Sequence, residues 1–330
     1  MSSVDTQLHA VLLRALNGIK YDVLRTRANE LSARYRNAAV ADASPGLRDN
    51  LDCLAYAVVR MPATYRAIQA ALRAADLHVG AAGTHLDLGG GTGAAAWAAT
   101  SIWPGIETQI VERQPAAIAL GRRLAADTPC SPSPQWSPGD LRDWQPADLR
   151  GWPSATPVDL VTVAYVLNEL TAPTRQHVIA AAAVSADTIV LVEPGTPRGY
   201  RHILEARDQL ISLGLTIAAP CPHQLDCPLV ERDWCHFAVR LPRTELHRRL
   251  KDGVRNYEDE KFSYLVATRR PARPAAARVL TPPVRPKNQV LLTLCTADAR
   301  RTQARIPKSS PEYPVARAVA QGGSWPAQRS

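Results

Sequence analysis

The sequence predicts an α/β protein: a doubly wound, largely parallel sheet, with a helical region before it and a small basic β lobe after it. Three observations carry this. Through residues 5–78 apolar side chains recur at three-to-four spacing, the period of amphipathic helices. From Thr84 short apolar runs alternate with helical patterns, as in βαβ units. Beyond Arg270 a proline-rich stretch leads into a hairpin-like pattern. The expected division is residues 1–80 (helical region), 81–270 (sheet domain with a cysteine cluster) and 271–330 (basic extension).

In the helical region, LHAVLLRAL and VLRTRANELSARYR are followed, after a Ser-Pro-Gly break, by the helical run LDCLAYAVVRMPATYRAIQAALRAA. No chemistry is visible there; Cys53, between Leu51 and Leu54, belongs to the core. THLDL then reads as a strand, GGGTG as a tight turn and AAAWAATSIW as a helix. Strand ETQIVE, helix QPAAIALGRRLAAD, strand VDLVTVAYVL, helix TAPTRQHVIAAAAV and strand DTIVLVEPG follow. TPCSPSPQWSPGD is a loop that carries Cys130 as an incidental thiol and leads to Asp140. After Gly195, helix RHILEARDQLISLG runs into a cysteine-rich stretch. The strands CHFAVRL and KFSYLVATR, with helical TELHRRL between them, close the sheet. PARPAAARVLTPPVRPKN is linker-like, and QVLLTLCTADARRTQARIP reads as a β-hairpin.

Composition narrows the function. With 330 residues and a 46% hydrophobic fraction the chain can bury a core without disulfides. No window approaches eighteen consecutive apolar residues, and MSSVDTQLHAVLLRALNG is not a signal peptide, so the expectation is a cytoplasmic protein with no membrane partner. In that reducing compartment clustered cysteines are metal ligands or catalytic thiols. The net charge of +9 is uneven: residues 269–330 hold twelve Lys or Arg against Asp298 and Glu312. Such a segment calls for a polyanion, with RNA expected and DNA not.

LDLGGGTG places Gly89, Gly91 and Gly93 between a strand and a helix, where backbone amides can approach a ligand closely. No GK[ST] follows, which excludes a P-loop, and Asp87 at the strand end is unusual for a dinucleotide fingerprint. The pattern resembles motif I of class I S-adenosylmethionine (SAM)-dependent methyltransferases. By that resemblance Glu112, ending the second strand, takes the ribose hydroxyls, and Asp140 in PGDL sits near the adenine. AYVLNEL, residues 164–170, falls where the fourth strand opens onto substrate; Asn168 and Glu169 are its polar pair, and no catalytic residue is assigned.

Cys221, Cys227 and Cys235 are spaced C-x5-C-x7-C. Zinc ribbons use closer pairs, a redox C-x-x-C is absent, and the C-x3-C-x2-C of radical-SAM enzymes is not there. Three loop thiolates suit an iron-sulfur cluster whose fourth ligand is remote in sequence. Cys295 in QVLLTLC is the favoured fourth; His223 and His236 are rivals that would make a Cys3His zinc site.

CPHQLDCPL, DWCHFAVRLPRTELHRRLK, YEDEKFSYLVATR and VLLTLC, downstream of LDLGGGTGAAAWA and VTVAYVLNEL, closely resemble the methyltransferase-like assembly factors of the mitochondrial small ribosomal subunit and their bacterial relatives. The resemblance covers roughly residues 50–325. It implies a class I methyltransferase fold that binds the small subunit and its rRNA, with Gly89, Gly91 and Glu112 in a SAM pocket. It also implies a 4Fe-4S cluster on Cys221, Cys227, Cys235 and Cys295, with zinc as the alternative metal. The expected role is ribosome assembly or translation without required methyl transfer; the alternative is an active rRNA methyltransferase. The N-terminus has no Arg- and Ser-rich transit peptide, which fits a bacterial cytoplasmic member.

Overall fold

The computed structural model describes residues 3–37, 47–127, 132–149, 152, 157–230, 233–243, 248, 250 and 256–326. Cys130 and most of TELHRRL lie outside these residues.

Four helices precede the sheet: α1 (Ser3–Ala15), α2 (Tyr21–Asn37), α3 (Asn50–Val59) and α4 (Met61–Val79). Asp49 caps α3, its carboxylate accepting from the Asp52 amide at 2.8 Å. The helical run after the Ser-Pro-Gly break is divided at Arg60, the shared cap of α3 and α4. Pro62 stands in the first turn of α4, where the missing N–H costs nothing but an uninterrupted helix could not pass.

The sheet domain runs β1 (Thr84–Leu88), α5 (Ala94–Thr100), β2 (Glu107–Glu112), α6 (Pro115–Ala126), β3 (Gln135–Pro138) and β4 (Val158–Ala164). It continues through α7 (Ala172–Ser185), β5 (Ala186–Pro194), α8 (Pro197–Ser212), β6 (Thr216–Ala219), β7 (Phe237–Pro242) and β8 (Tyr257–Thr268). Strand order is β3-β2-β1-β4-β5-β8-β6, with β7 added along the first half of β8. The first five strands are parallel; β8 is antiparallel to β5, β6 and β7. This is the class I methyltransferase-like arrangement, doubly wound around a parallel-dominated sheet. Ile189, Val190, Leu191 and Val192 of β5 are all buried, as a strand covered on both faces requires. On one face Val190, Val192 and Val266 pack with the N-terminal helices; on the other Ile189 and Leu191 pack with Ile179, Ile203 and Leu210 of α7 and α8.

A second sheet follows, ordered β11-β10-β9-β12, from β9 (Ala277–Val279), β10 (Gln289–Thr296), β11 (Arg301–Pro307) and β12 (Ser324–Trp325). β10 and β11 form the expected hairpin, Gln289 opposite Pro307 and Cys295 opposite Arg301. The segment expected as a linker contributes β9, held between β10 and β12. The proline-serine loop likewise contains an unforeseen strand, β3, which lies at the sheet edge where Pro138 needs no ladder donor. The fourth strand is shorter than its apolar run, because Tyr165 turns out of it at φ 60°.

Candidate functional site

Strand order reverses at β1 and β4, so the loops leaving their carboxyl ends diverge and open a crevice, the usual ligand position in such sheets. A cleft open to solvent lies there. Its wall includes Asp87, Gly89, Gly91, Glu112, Asp140 and Tyr165. Gly93, the remaining sequence candidate, is not on the wall; it caps α5 with φ 93° and gives way to Trp136, whose ring stands 2.9 Å from where a Cβ would be.

Gly91 has φ 55° and nothing within 4 Å of the position a Cβ would take, so its backbone faces open space. Its amide donates to Glu112 Oε2 at 2.9 Å, and the Gln114 amide donates to Glu112 Oε1 at 2.7 Å. The Trp136 indole N–H donates to the Gly91 carbonyl at 3.0 Å, tying the edge strand to the turn. Burial, only partly offset by these amides, raises the Glu112 carboxyl above its ordinary value. Asp140 differs: Arg142 bonds it through guanidinium and amide, at 2.7 and 3.0 Å, and holds it below the ordinary carboxylate value.

Beneath the glycine turn lies a buried polar chain. Thr162 Oγ1 donates to Asp87 Oδ1 at 2.6 Å, and His85 Nε2 lies 2.8 Å from Thr162 Oγ1. Since that hydroxyl proton goes to Asp87, Nε2 carries the hydrogen and Nδ1 faces Thr108 Oγ1 at 3.2 Å as acceptor. Burial pushes Asp87 up to about 7 and His85 down to about 3. Asp87 Oδ2 is buried with no partner among the described residues.

The helical region, where the sequence shows no chemistry, also lines the cleft. Tyr56 and Thr64 of α3 and α4 line the cleft. Arg60 donates to both oxygens of Glu260, at 3.0 and 3.4 Å, and the Tyr165 hydroxyl donates to Glu260 Oε1 at 3.2 Å.

The four cysteines named from the sequence meet at a second cavity, lined by Cys221, Cys227, Cys235 and Cys295 together with His223, Arg207 and Arg278. Tyr200 Oη lies 3.0 Å from Cys227 Sγ, and His223 Nε2 lies 3.4 Å from Cys295 Sγ. His223 Nδ1 is 3.1 Å from the Leu225 carbonyl, which places the proton on Nδ1 and leaves the Nε2 lone pair toward sulfur. His236 is not on this wall; its Nδ1 bonds the Trp234 carbonyl at 3.1 Å and its ring stacks on Trp234. Burial raises the thiols of Cys221, Cys235 and Cys295, the last to about 12. Among the described residues no group of three or more His, Cys, Asp or Glu converges as a single-ion site.

Arg207 and Arg278 escape a reading of motifs alone. One signal was there: Ile203, Ala206, Arg207 and Leu210 share a helix face, and all are buried.

The crevice, its glycine turn and the strand order define the class I SAM-methyltransferase-like proteins. Within that class, the family described as "Mitochondrial small ribosomal subunit Rsm22" matches residues 50–326, and the chain belongs to it. The human mitochondrial ribosome assembly protein METTL17 is 28% identical over 239 residues, which is 67% of this chain and 50% of that protein. The mitochondrial Rsm22-cox11 tandem protein 2 of Schizosaccharomyces pombe is 28% identical over 184 residues, 42% of this chain and 24% of that protein. The chain thus spans half or less of the length of these curated relatives. Among solved structures, a putative RNA methyltransferase from Pyrococcus horikoshii is 14% identical, with a TM-score of 0.41 over 73% of this chain and 96% of that one.

Proposed function

We propose that the chain binds SAM in the glycine-walled cleft, carries a four-thiolate iron-sulfur cluster in the cysteine cavity, and acts on the small ribosomal subunit during its assembly by contacting rRNA. One observation carries the reading. Cys221, Cys227 and Cys235 of the sheet domain and Cys295 of β10 line a single cavity although 60 positions separate Cys235 from Cys295.

The residues at both places fit the groups. At the cleft, a Cβ on Gly91 would intrude where the backbone now faces open space, and the buried Asp87 Oδ2 lacks a partner. SAM supplies a methyl group on a sulfonium cation. Glu112 and Asp140 offer carboxylate oxygens to hydroxyl or amino donors, and Arg142 keeps Asp140 ionised. At the cavity, four thiols, that of Cys295 buried and the other three partly so, offer the ligand set of a closed cluster. The fourth thiol comes from the sheet that carries the basic extension, so a group bound there joins that sheet to the SAM domain. Exposed Arg305 and Lys308 on and after the edge strand β11 supply the sequence-independent part of rRNA binding.

A second reading, active rRNA methyl transfer, draws on Tyr165, a non-glycine residue held at φ 60° on the cleft wall; such conformations gather at functional sites. Incubating anaerobically purified protein with small-subunit particles and labelled SAM separates the two. Cosedimentation without methyl incorporation is the expected result. Incorporation that is lost in Gly91→Arg establishes the enzyme, and failure to cosediment refutes the ribosomal role.

A further inference from the structure

Arg207 of α8 and Arg278 of β9 both line the cysteine cavity, and both are buried, at 2% and 8% exposure. Neither has the compensation a buried guanidinium needs. Arg207 donates to the carbonyls of His223 at 3.2 Å and Leu225 at 2.6 Å, its Nε has no partner among the described residues, and its one ion pair is to the solvent-exposed Asp208 at 3.2 Å. Arg278 donates to the carbonyls of Pro220 at 2.8 Å and Gly322 at 2.9 Å and makes no ion pair among the described residues. Burying a cation that is not paired is strongly unfavourable. The facing thiols do not cancel these charges while they keep their protons.

We infer that Arg207 and Arg278 are the counter-charges of a dianionic four-thiolate centre, an inference that rests on the cysteine-cavity reading above. The arithmetic of charge supports two arginines. Four thiolates around a 4Fe-4S core of charge +2 leave −2, and two guanidiniums bring this to zero. A Cys3His zinc site would carry only −1 and leave one arginine uncompensated. The placement is also two-sided. Arg207 comes from the sheet domain and Arg278 from the C-terminal sheet, so each half brings both thiolate and cation to the cavity. Arg278 grips the carbonyl of Pro220, the residue before Cys221, and thereby holds the first ligand as well as balancing its charge. These are positioning residues, acting on the centre through its ligands and its field.

The test uses the full chain, reconstituted anaerobically with ferrous iron and sulfide, and the variants Arg207→Met, Arg278→Met, Arg207→Lys and Arg278→Lys. Iron content, the rate of iron loss to a chelator, the midpoint potential in a dithionite titration, and the thermal midpoints of loaded and metal-free protein are measured. The Met variants are expected to lose iron about 10-fold faster or more and to show a lower midpoint potential, since an added electron has lost a neighbouring cation. The Lys variants retain most of both properties. The Met substitutions lower the thermal midpoint of loaded protein more than that of metal-free protein, whereas a purely structural role lowers both equally. Met variants with unchanged potential and unchanged iron loss overturn the inference while leaving the cluster reading intact. A wild-type chain that takes up no iron overturns both.

Discussion

Cys295 Sγ lies 3.4 Å from Nε2 of His223, across 72 positions of sequence, and joins β10 of the second sheet to the loop after β6. The contact shows that β10 seats itself against the loop after β6 through a sulfur atom rather than through an apolar side chain. Cys295→Ser keeps the size of the side chain but removes a soft ligand. It is expected to reduce bound iron to a small fraction of the wild-type content, with loss of the visible absorption. His223→Gln, which spares all four sulfurs, should retain iron. Full iron in Cys295→Ser would refute the four-cysteine assignment.

Trp136 fills the space left by Gly93 and Gly121 and bonds the Gly91 carbonyl at 3.0 Å. Trp136→Ala removes a buried ring and one hydrogen bond, so a loss of about 3–5 kcal/mol is expected in denaturant unfolding. Trp136→Phe, keeping most of the volume, should cost much less. SAM affinity measured by calorimetry should weaken in both, because the turn loses the bond that holds its carbonyl.

The Asp87 carboxyl is raised to about 7 by burial, from 3.8 when exposed. Between those values the folded chain keeps a proton that the unfolded chain has released, so this group's contribution to stability falls as pH rises through the window. His85, lowered to about 3, works in the opposite direction and loses stability as pH falls below its ordinary 6.5. Asp87→Asn removes the first effect alone. The difference in unfolding free energy between variant and wild type should therefore grow from pH 4 to pH 7, toward about 4 kcal/mol. A difference that stays flat with pH would rule this out.

Arg60 joins the helical layer to β8 through Glu260, whose side chain is 9% exposed while that of Arg60 is 31% exposed. Glu260→Ala leaves Arg60 and the Tyr165 hydroxyl without their shared acceptor. A destabilisation of about 2–3 kcal/mol is expected, below the cost of breaking a fully buried pair. Arg60→Met/Glu260→Leu should recover part of it, as apolar replacement of both partners often does.

The central strands and the glycine turn are legible in the sequence because burial on both faces demands unbroken apolar runs, and because a turn at φ 55° selects glycine at position 91. The four cysteines stand out by their scarcity elsewhere, since six occur in 330 residues. What escapes is set by tertiary context. β9 reads as a linker because three residues among prolines carry no period, and it becomes a strand only between β10 and β12. The Arg60, Glu260 and Tyr165 group unites residues up to 200 positions apart, and no local pattern encodes such a meeting. Arg207 is legible only as an anomaly, a cation on an apolar helix face.

The strand pairing of β10 has a temporal consequence. Cys295 reaches the cavity only when β10 is aligned with β9, and the sheet holding both is completed by β12, which ends at Trp325. A nascent chain that has already folded its sheet domain still presents an open, three-sulfur pocket. Closure waits on the synthesis of β12, so a filled pocket would mark a chain that has passed Trp325, and a chain ended before Ser324 would be distinguishable from it.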